Sequence, residues 1–322
     1  FIGPFLVREL VEHGHTVRGV DRAPMDDLPL ETSVVGDLAD PAVAREAVCG
    51  GVDRIYHLAA ARGDWGISEE EYYHDNVEAT RALLEAGEEA GVRDWVFYST
   101  VSTMGPSDVP LDEGAELQPA VPYGRSKAEA EQLFHAFADD HPSCRILMVR
   151  PSAVYGPENP PDTNIYRLIE SISAGRFAMV GDGSARKTTS YIENLIAATT
   201  FLTDRLSEGL EVFIYVDEPV LSTKTLVQEI YRLLGKRPPS WHIPLSVAKP
   251  IASLADLGAQ VTGIDFPITA SRIEKFCTST YFDGSAIREL GFQQPVSNKE
   301  ALRRTVDWHL RHENGAPPPN DA

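Results

Sequence analysis

Two apolar runs with the character of buried β-strands lie on either side of one helical segment, and this arrangement constrains the fold most. The first run covers residues 94–98 (DWVFY) and the second covers residues 145–151 (RILMVRP). Strands covered on both faces are continuously hydrophobic, and parallel neighbours need a crossover connection, usually a helix. Shorter strand-like runs surround Asp21, Asp37 and His57. The alternation predicts an α/β protein with a doubly wound parallel sheet.

Hydroxyl side chains follow the first of these strands, and a tyrosine and a lysine begin the helix after it. Ser99 and Thr100 come directly after residue 98, while Tyr123 and Lys127 share one helix face because they are four residues apart. A fixed positive charge stabilises a phenolate and lowers the phenol pKa from its usual value of about 10. Ligands bind at strand ends in open α/β sheets. The sequence therefore predicts a proton-transfer site beside a cofactor.

A series of short motifs occurs in a fixed order along the chain. They are Phe1-Ile-Gly3, Asp21, Gly36-Asp-Leu38, His57-Leu-Ala-Ala60, Asn76, Ser99-Thr100, Tyr123 with Lys127, Arg150-Pro151 and Gly181-Asp-Gly183. With these motifs the chain resembles the extended short-chain dehydrogenase/reductase family, in particular its branch of NAD-dependent nucleotide-sugar epimerases and dehydratases. The resemblance implies a Rossmann-type doubly wound parallel sheet with a smaller C-terminal α/β substrate domain.

The resemblance also implies two domains and a tail. The NAD-binding Rossmann domain comprises residues 1–160 and 183–220, and the substrate-binding domain comprises residues 161–182 and 221–312. Residues 313–322 are polar and proline-rich and are expected to be disordered. In the family a first strand and most of a glycine-rich loop come before the motif with which the printed sequence begins, so we expect that a segment of the protein precedes it.

The cofactor that the resemblance implies is NAD. Asp21 lies about 20 residues after the family's glycine-rich loop, where a carboxylate accepts hydrogen bonds from the adenine ribose and opposes the 2′-phosphate of NADP. Arg22 is adjacent, and an arginine there can pair with such a phosphate, so NADP stays open as the alternative. The implied cofactor contacts are Phe1, Ile2, Gly3, Asp21, Arg22, Asp37, Leu38, Leu58, Ala59, Ala60, Asn76, Tyr123, Lys127, Pro151 and Val154.

By the same resemblance, Tyr123 is the catalytic acid/base and Lys127 is both its electrostatic partner and a ligand of the nicotinamide ribose. Thr100 takes the position of the catalytic hydroxyl, with Ser99 and Ser102 as less favoured substitutes. The dehydratases of this branch carry an Asp-Glu pair directly after the catalytic threonine. Here Thr100 is followed by valine and serine, which argues against dehydration.

The substrate implied is a nucleotide-activated sugar, with a UDP-sugar as the leading candidate. Thr100 and Ser102 would contact the sugar, and three basic residues are candidates for its phosphates. These are Lys187, Arg186 and, more weakly, Arg272.

The leading function is an NAD-dependent epimerase that oxidises its sugar transiently to a keto-sugar. The alternative is an NAD(P)-dependent reductase or dehydrogenase of a ketone or secondary alcohol, as in the related hydroxysteroid dehydrogenases. A third hypothesis, a non-catalytic NAD(P)-sensing protein, is disfavoured because Thr100, Tyr123 and Lys127 are all present.

The charge balance argues against polyanionic partners. The chain has 29 Lys and Arg against 48 Asp and Glu, a formal net charge of −19. Such a charge repels nucleic acid and anionic membranes, and no apolar run approaches the ~20 residues of a membrane span. The three cysteines, Cys49, Cys144 and Cys277, lack the spacing of metal ligands. We therefore expect a cytoplasmic protein with buried, reduced thiols and no metal site.

Two long helices, at about residues 69–91 and 121–139, are expected to pair across a two-fold axis into a homodimer, as in the family. Each carries more apolar residues than one core-facing stripe requires.

His57 is expected to be a packed histidine at a strand end rather than an acid/base group.

Overall fold

Four parallel strands form the central sheet, in the spatial order β10-β6-β4-β3. They are β3 (Arg54–His57), β4 (Asp94–Tyr98), β6 (Arg145–Pro151) and β10 (Gly209–Tyr215). The structure is a computed structural model and describes residues 1–63, 66–248, 250 and 270–313. β4 and β6 lie in the middle of the sheet, and every residue of β4 is buried. The predicted pair of buried parallel strands is confirmed.

Helices cover both faces of this sheet. In chain order they are α1 (Ile2–Glu12), α2 (Pro41–Val48), α3 (Glu69–Tyr73), α4 (Ala79–Glu89), α5 (Pro122–Asp140), α6 (Asn164–Ser173), α7 (Ile192–Thr203), α8 (Thr223–Leu233), α9 (Ala270–Cys277), α10 (Ser285–Glu289) and α11 (Asn298–Glu313). Side chains alternate along β4, so that Trp95 and Phe97 pack with α2, α4 and α5. Val96 and Tyr98 pack on the opposite face with α6, α7 and α8.

Aromatic contacts hold α5 against β4. The Phe134 ring stacks on Phe97 at a centroid distance of 4.5 Å, and the Phe137 ring lies 5.4 Å from Trp95, edge to face. Aromatic pairs of this kind add about 0.5–1.5 kcal/mol to the burial of their surface. These contacts hold the second half of α5 against β4. The first turn of α5 packs on the turn that follows β4, where a Cβ atom on Gly124 would lie 2.5 Å from the Ser102 carbonyl oxygen, and this is where the Tyr-Lys pair and the hydroxyl residues are predicted to meet.

A separate pair of parallel strands is formed by β1 (Arg18–Asp21) and β2 (Thr32–Val35). In the described residues no strand hydrogen bonds connect this pair to the central sheet, and an open cavity lined by residues of β1 and β3 lies between them. Asp21 ends β1 at the same edge at which the strands of the central sheet end. The predicted α/β class with a Rossmann-like parallel arrangement is confirmed.

A second four-stranded sheet is mixed in direction, with the order β11-β8-β12-β5. Its members are β5 (Ser107–Leu111), β8 (Arg186–Lys187), β11 (Leu221–Ser222) and β12 (Thr280–Phe282). β5 and β8 belong to ranges that the sequence assigned to the Rossmann domain, yet both pair with β12. The two remaining strands, β7 (Ala153–Tyr155) and β9 (Thr189–Tyr191), form a parallel pair.

The two helical segments predicted to form a dimer interface are present. The first consists of α3, a π-helical turn (His74–Glu78) and α4, and the second is α5. Tyr73 is exposed, but most of the apolar side chains behind the prediction are buried within the single chain. These are Tyr72, Val77, Leu83, Leu84, Ala128, Phe134 and Phe137. The argument from surplus apolar residues is therefore wrong, because those side chains already have partners inside the chain.

Other expectations concern the membrane, metals and thiols. In the described parts of the chain, no helix has the length and apolar character needed to cross a bilayer, and no cluster of His, Cys, Asp and Glu could hold a metal ion. Cys144 is buried and Cys277 half-buried, whereas Cys49 is exposed, contrary to the expectation of buried thiols. The predicted tail of residues 313–322 lies, apart from the last residue of α11, outside the described residues.

Candidate active site

A large open cavity of about 2810 Å³ runs along β1 and β3 and reaches the carboxyl ends of β3, β4 and β6. The side chains predicted for proton transfer, Thr100, Tyr123 and Lys127, line it together. Ser99 and Ser102 also reach the wall. The structure thus brings together, from the end of β4 and the start of α5, groups that are up to 28 residues apart in the chain, since Ser99 and Lys127 both contribute.

Thr100 and Tyr123 lie close together at the cavity wall. The Thr100 hydroxyl lies near enough to the Tyr123 phenol to lower its pKa by hydrogen bonding to the ionised form. The Thr100 Oγ1 atom accepts the backbone N–H of Ser102 at 3.1 Å. This bond begins a single 3₁₀ turn (Val101–Thr103), which turns the chain away from β4 and leaves the Thr100 hydroxyl at the cavity wall.

Tyr123 is half-buried at the cavity wall, and its proton is held tightly. Burial raises the pKa of Tyr123 to about 12, against the lowering effects of the Arg62 charge and the hydrogen bond to Thr100. The expectation that the lysine lowers the phenol pKa towards neutrality is therefore wrong for the ligand-free protein. The physical reason is that surrounding protein disfavours the phenolate more than the nearby positive charge and hydrogen bond stabilise it.

Lys127 is almost completely buried, with only 1% of its surface exposed. Its Nζ atom lies 4.1 Å from the centroid of the Phe97 ring, a cation–π contact. Burial lowers the pKa of Lys127 to about 7, although the Glu131 carboxylate opposes this effect. No hydrogen bond from the described part of the chain reaches the ammonium, so it can donate to hydroxyl groups of a ligand.

His57 lies next to this lysine at the end of β3 and is structural. Its Nε2 atom is 2.8 Å from the Thr80 hydroxyl, and its ring stacks on Phe97. Burial and the Lys127 charge lower the pKa of His57 to about 3. The expectation of a packed histidine at a strand end is confirmed.

A buried ion pair lies beneath the site. Glu131 and Arg150 are 0% and 4% exposed, with Nε–Oε1 and Nη2–Oε2 distances of 2.9 and 2.7 Å. The Ser99 hydroxyl donates to the same carboxylate. Ser99 is thereby engaged in the core, whereas the hydroxyls of Thr100 and Ser102 remain at the cavity wall.

Asn76 lies behind the cavity wall rather than on it. It is part of the π-helical turn, and its Nδ2 atom donates to the Ser126 hydroxyl at 2.8 Å and to the Ala61 carbonyl at 3.1 Å. Ser126 in turn donates to the Tyr123 carbonyl at 3.0 Å. Asn76 therefore connects the π-helical turn to the start of α5, and as a direct cofactor contact it is not supported.

The other predicted cofactor residues line the cavity. They are Phe1, Ile2, Gly3, Asp21, Arg22, Asp37, Leu38, Leu58, Ala59, Ala60, Pro151 and Val154. Asp21 accepts the Ala23 backbone N–H at 2.9 Å, and Asp37 accepts that of Ala39 at 3.0 Å, so both carboxylates are oriented by their own turns. Apart from Asn76, the predicted cofactor residues thus line the same cavity.

The predicted phosphate-binding residues separate into two groups. Lys187 lines the cavity and donates to the Thr278 carbonyl at 2.5 Å, and burial lowers its pKa to about 8. Arg186 is exposed, with its guanidinium 5.2 Å from the centroid of the Tyr281 ring, and it does not line the cavity. Successive strand residues point to opposite faces, so only one of the two can face the cavity. The side chain of Arg272 lies outside the described residues.

Arg62 is a cavity residue that the sequence analysis missed. It lines the wall near Tyr123, and one of its Nη2 contacts is Asp162 Oδ1 at 3.7 Å. The sequence did offer a signal for Arg62, because this arginine directly follows the alanines that come after β3. Its proximity to Tyr123 depends on how α5 packs, which the local sequence does not reveal.

Comparison with known proteins agrees with the fold. A family model described as "NAD dependent epimerase/dehydratase family" matches residues 1–216. The chain belongs to this family, within the extended short-chain dehydrogenases/reductases, and is an enzyme of that class. NAD is its cofactor, as the sequence predicted.

Individual relatives are similar over nearly the whole chain. An N-acetyl-α-D-glucosaminyl-diphospho-ditrans,octacis-undecaprenol 4-epimerase of Escherichia coli O157:H7 is 30% identical over 313 residues, 97% of this chain and 93% of that protein. A 3β-hydroxysteroid dehydrogenase/Δ5→4-isomerase of Mycobacterium tuberculosis (strain CDC 1551 / Oshkosh) is 30% identical over 338 residues, 96% and 88% of the two chains. The solved structure of MoeE5 with UDP-glucuronic acid and NAD is 27% identical, with a TM-score of 0.76 and coverage of 97% and 96%.

Proposed function

We propose that the protein is an NAD-dependent epimerase of a nucleotide-activated sugar. The observation that carries the proposal is that Thr100, Tyr123 and the buried Lys127 lie together on one cavity wall. Dehydration would need an additional acid, and the residues after Thr100 supply none. The carboxylates of Asp112 and Glu113 are also engaged elsewhere, accepting backbone N–H groups of Gly114 and Ile214.

The residues of the cavity fit NAD. The Lys127 ammonium is buried at the wall without a hydrogen bond from the described residues, and ribose hydroxyls would satisfy it. Asp21, at the end of β1, offers acceptor oxygens to the second ribose. Leu58, Ala59 and Ala60 provide a flat, small-residue wall. Held by Lys127 and Asp21, NAD⁺ would supply a reversible hydride acceptor next to the sugar.

Proton transfer is the task of Tyr123. With its pKa near 12 the phenol is protonated at neutral pH and is set to donate a proton to a carbonyl oxygen. To accept a proton from a sugar hydroxyl it must first ionise, which the Arg62 charge and the Thr100 hydrogen bond favour. The Thr100 hydroxyl would share the substrate's hydrogen bond and so fix the reacting oxygen near the phenol.

The diphosphate of the substrate would lie on the opposite wall, at Lys187. Since this lysine is largely buried and burial disfavours its charged form, a bound phosphate would stabilise the ammonium with a full negative charge. Arg186 contributes to no such site in this conformation. A UDP-sugar fits this arrangement, as does another diphospho-sugar, because each presents a sugar hydroxyl to Thr100 and Tyr123 and a diphosphate to Lys187.

The second candidate is a net dehydrogenase or reductase of a secondary alcohol or ketone. The mycobacterial relative, whose name describes a hydroxysteroid dehydrogenase, supports this candidate at the same level of identity as the epimerase. The Thr100–Tyr123–Lys127 chemistry serves both reactions.

Product analysis separates the two. The protein is incubated with NAD⁺ and, in parallel, with UDP-hexoses, UDP-N-acetylhexosamines, UDP-hexuronic acids, a polyprenyl-diphosphate N-acetylhexosamine and a hydroxysteroid. An epimerase interconverts two sugars by chromatography and NMR without accumulating NADH. Stoichiometric NADH with any one compound and no epimer would contradict the proposal and support the dehydrogenase.

A further inference from the structure

Arg22 and Asp21 favour opposite cofactors at the same edge of the cavity. The carboxylate suits an unmodified adenine ribose, whereas the guanidinium suits a 2′-phosphate. Both residues line the cavity at the end of β1. The partners of the Arg22 guanidinium indicate which of the two cofactors the site favours.

The Arg22 guanidinium is bound to two carboxylates. Its Nη1 and Nη2 atoms form a bidentate pair with Asp75, at 2.7 Å to Oδ2 and 2.5 Å to Oδ1. Nη2 also donates to Asp37 Oδ2 at 2.9 Å. Bidentate arginine–carboxylate pairs are among the strongest charge-assisted hydrogen bonds. A 2′-phosphate would therefore have to displace carboxylates from Arg22 before it could bind there.

The three carboxylates leave the surroundings of Arg22 negative. Asp37 and Asp75 both contact one guanidinium, and Asp21 lies at the same cavity edge, so the carboxylates oppose a phosphate group that carries about −1.5 to −2 charges at neutral pH. His74 also borders the cluster, with its Nδ1 atom 2.9 Å from Asp75 Oδ1 and 3.5 Å from Arg22 Nη2.

Asp75 anchors the cluster. Its side chain is 17% exposed, compared with 39% for Asp37 and 51% for Arg22, and it belongs to the π-helical turn rather than to the strand-end loops. Asp37 is additionally held by its own turn. Asp75 therefore provides the fixed point towards which the more exposed arginine is drawn.

We propose that Asp75 is a specificity-determining residue of the cofactor site, which holds Arg22 in a bidentate ion pair and thereby makes the protein discriminate against NADP. The inference rests on the NAD site of the proposed function but not on the identity of the sugar. Cofactor affinities are measured without a sugar, so failure of this inference is distinguishable from failure of the epimerase proposal.

The test is a comparison of dissociation constants for NAD⁺ and NADP⁺, measured by calorimetry or by quenching of protein fluorescence. Asp75→Asn should tighten NADP⁺ binding by about tenfold relative to NAD⁺, because one charge-assisted pair is released. The matched control is Glu70→Gln, since Glu70 lines the same small hollow as Arg22 and Asp75 and loses the same charge. In the described residues Glu70 has no ion pair with Arg22, and we expect less than about twofold change from it.

Two further variants make the test decisive. In the Asp75→Asn background, Arg22→Ala should abolish the gain in NADP⁺ affinity, as a double-mutant cycle requires of coupled residues. In the wild-type background, Arg22→Ala should hardly change the ratio of the two affinities, because the guanidinium is already engaged. The proposal is overturned if Asp75→Asn leaves the ratio unchanged, if the gain survives without Arg22, or if Arg22→Ala alone weakens NADP⁺ several-fold more than NAD⁺.

Discussion

At the scale of single residues, the site depends on two groups whose burial opposes their charged forms. The phenol of Tyr123 is held protonated, and the ammonium of Lys127 is brought to a pKa of about 7. Shifted pKa values of this kind are common where proton transfer occurs, because a group that titrates near the working pH can both give and take a proton.

Replacing Tyr123 by phenylalanine should reduce kcat by roughly 10²–10⁴, the usual loss on removal of a general acid/base. The affinity for NAD⁺ should change little, since the aromatic ring remains. Tyr73→Phe is the matched control, because this tyrosine is exposed. Turnover of Tyr123→Phe within a few-fold of wild type would exclude the phenol from the mechanism.

Replacing Lys127 by methionine should abolish turnover and stabilise the ligand-free protein. A folded-state pKa lowered from 10.5 to about 7 means that burial disfavours the ammonium. Each pKa unit by which burial disfavours the ammonium corresponds to about 1.4 kcal/mol. The loss of the cation–π contact offsets about 1 kcal/mol of this. We therefore expect the free energy of unfolding to rise by a value on the order of 2–4 kcal/mol at pH 7. Urea unfolding measures it, and an unchanged or lower unfolding free energy would contradict the assigned burial cost.

The sequence predicted these residues better than their surroundings. Thr100, Tyr123 and Lys127 were found because two of them have a helical spacing and the third follows a buried strand. Arg62 and Asp75 were not found as neighbours of Tyr123 and Arg22, because the segments that carry them meet only after the sheet and α5 have packed. Arg186 was misjudged because the strand β8, which directs it away from Lys187, is only two residues long.

At the scale of elements, the Glu131–Arg150 pair joins the helix that carries Tyr123 to the central strand β6. Glu131→Gln should lower the free energy of unfolding by about 3–5 kcal/mol, since it leaves the Arg150 charge buried without a partner. Glu129→Gln, at an exposed position of the same helix, is the control and should have an effect below about 0.5 kcal/mol. Equal unfolding free energies for the two variants would show that the pair contributes nothing.

Burial on both faces made the two middle strands of the central sheet predictable from the sequence, whereas an edge strand was missed. β4 and β6 are covered on both faces and produced continuous apolar runs that were recognised directly. β5 (SDVPL) was not predicted, because it is an edge strand whose polar residues and proline give no such run. The dimer argument failed for a related reason, since counting apolar residues in a helix does not show how many are already covered within the chain.

At the scale of the whole molecule, His57 should make the protein sensitive to mild acid. Its pKa is about 3 when folded and about 6.5 when unfolded, so below pH 6.5 the unfolded chain binds a proton that the folded chain excludes. Between pH 7 and pH 5 this lowers the free energy of unfolding by about 2 kcal/mol. His57→Gln should abolish this decrease in unfolding free energy, whereas His135→Gln, at an exposed position, should not. Identical dependence of the unfolding free energy on pH in wild type and His57→Gln would rule the effect out.

The homodimer remains a prediction at this scale. If the segment formed by α3 and α4 pairs with α5 across a two-fold axis, the interface has to be largely polar, because Tyr73 of α3 is its exposed large aromatic residue. Light scattering at micromolar concentration should give twice the mass of one chain, and Tyr73→Glu should shift the protein towards the monomer. A wild-type protein that is monomeric under these conditions excludes the dimer.

The pairing of β5 with β12 has a consequence for anyone who wishes to recombine this enzyme with its relatives. Only a few residues separate Thr100 from β5, and β5 hydrogen-bonds into the sheet that carries Lys187, through Ser107 to Ser279 and Asp283 to Leu111. A chimaera that exchanges β12 but keeps the original β5 would place β5 against a foreign strand. Such a mismatch would disturb the position of Thr100, which lies only a few residues before β5. The unit of exchange should therefore include residues 107–111.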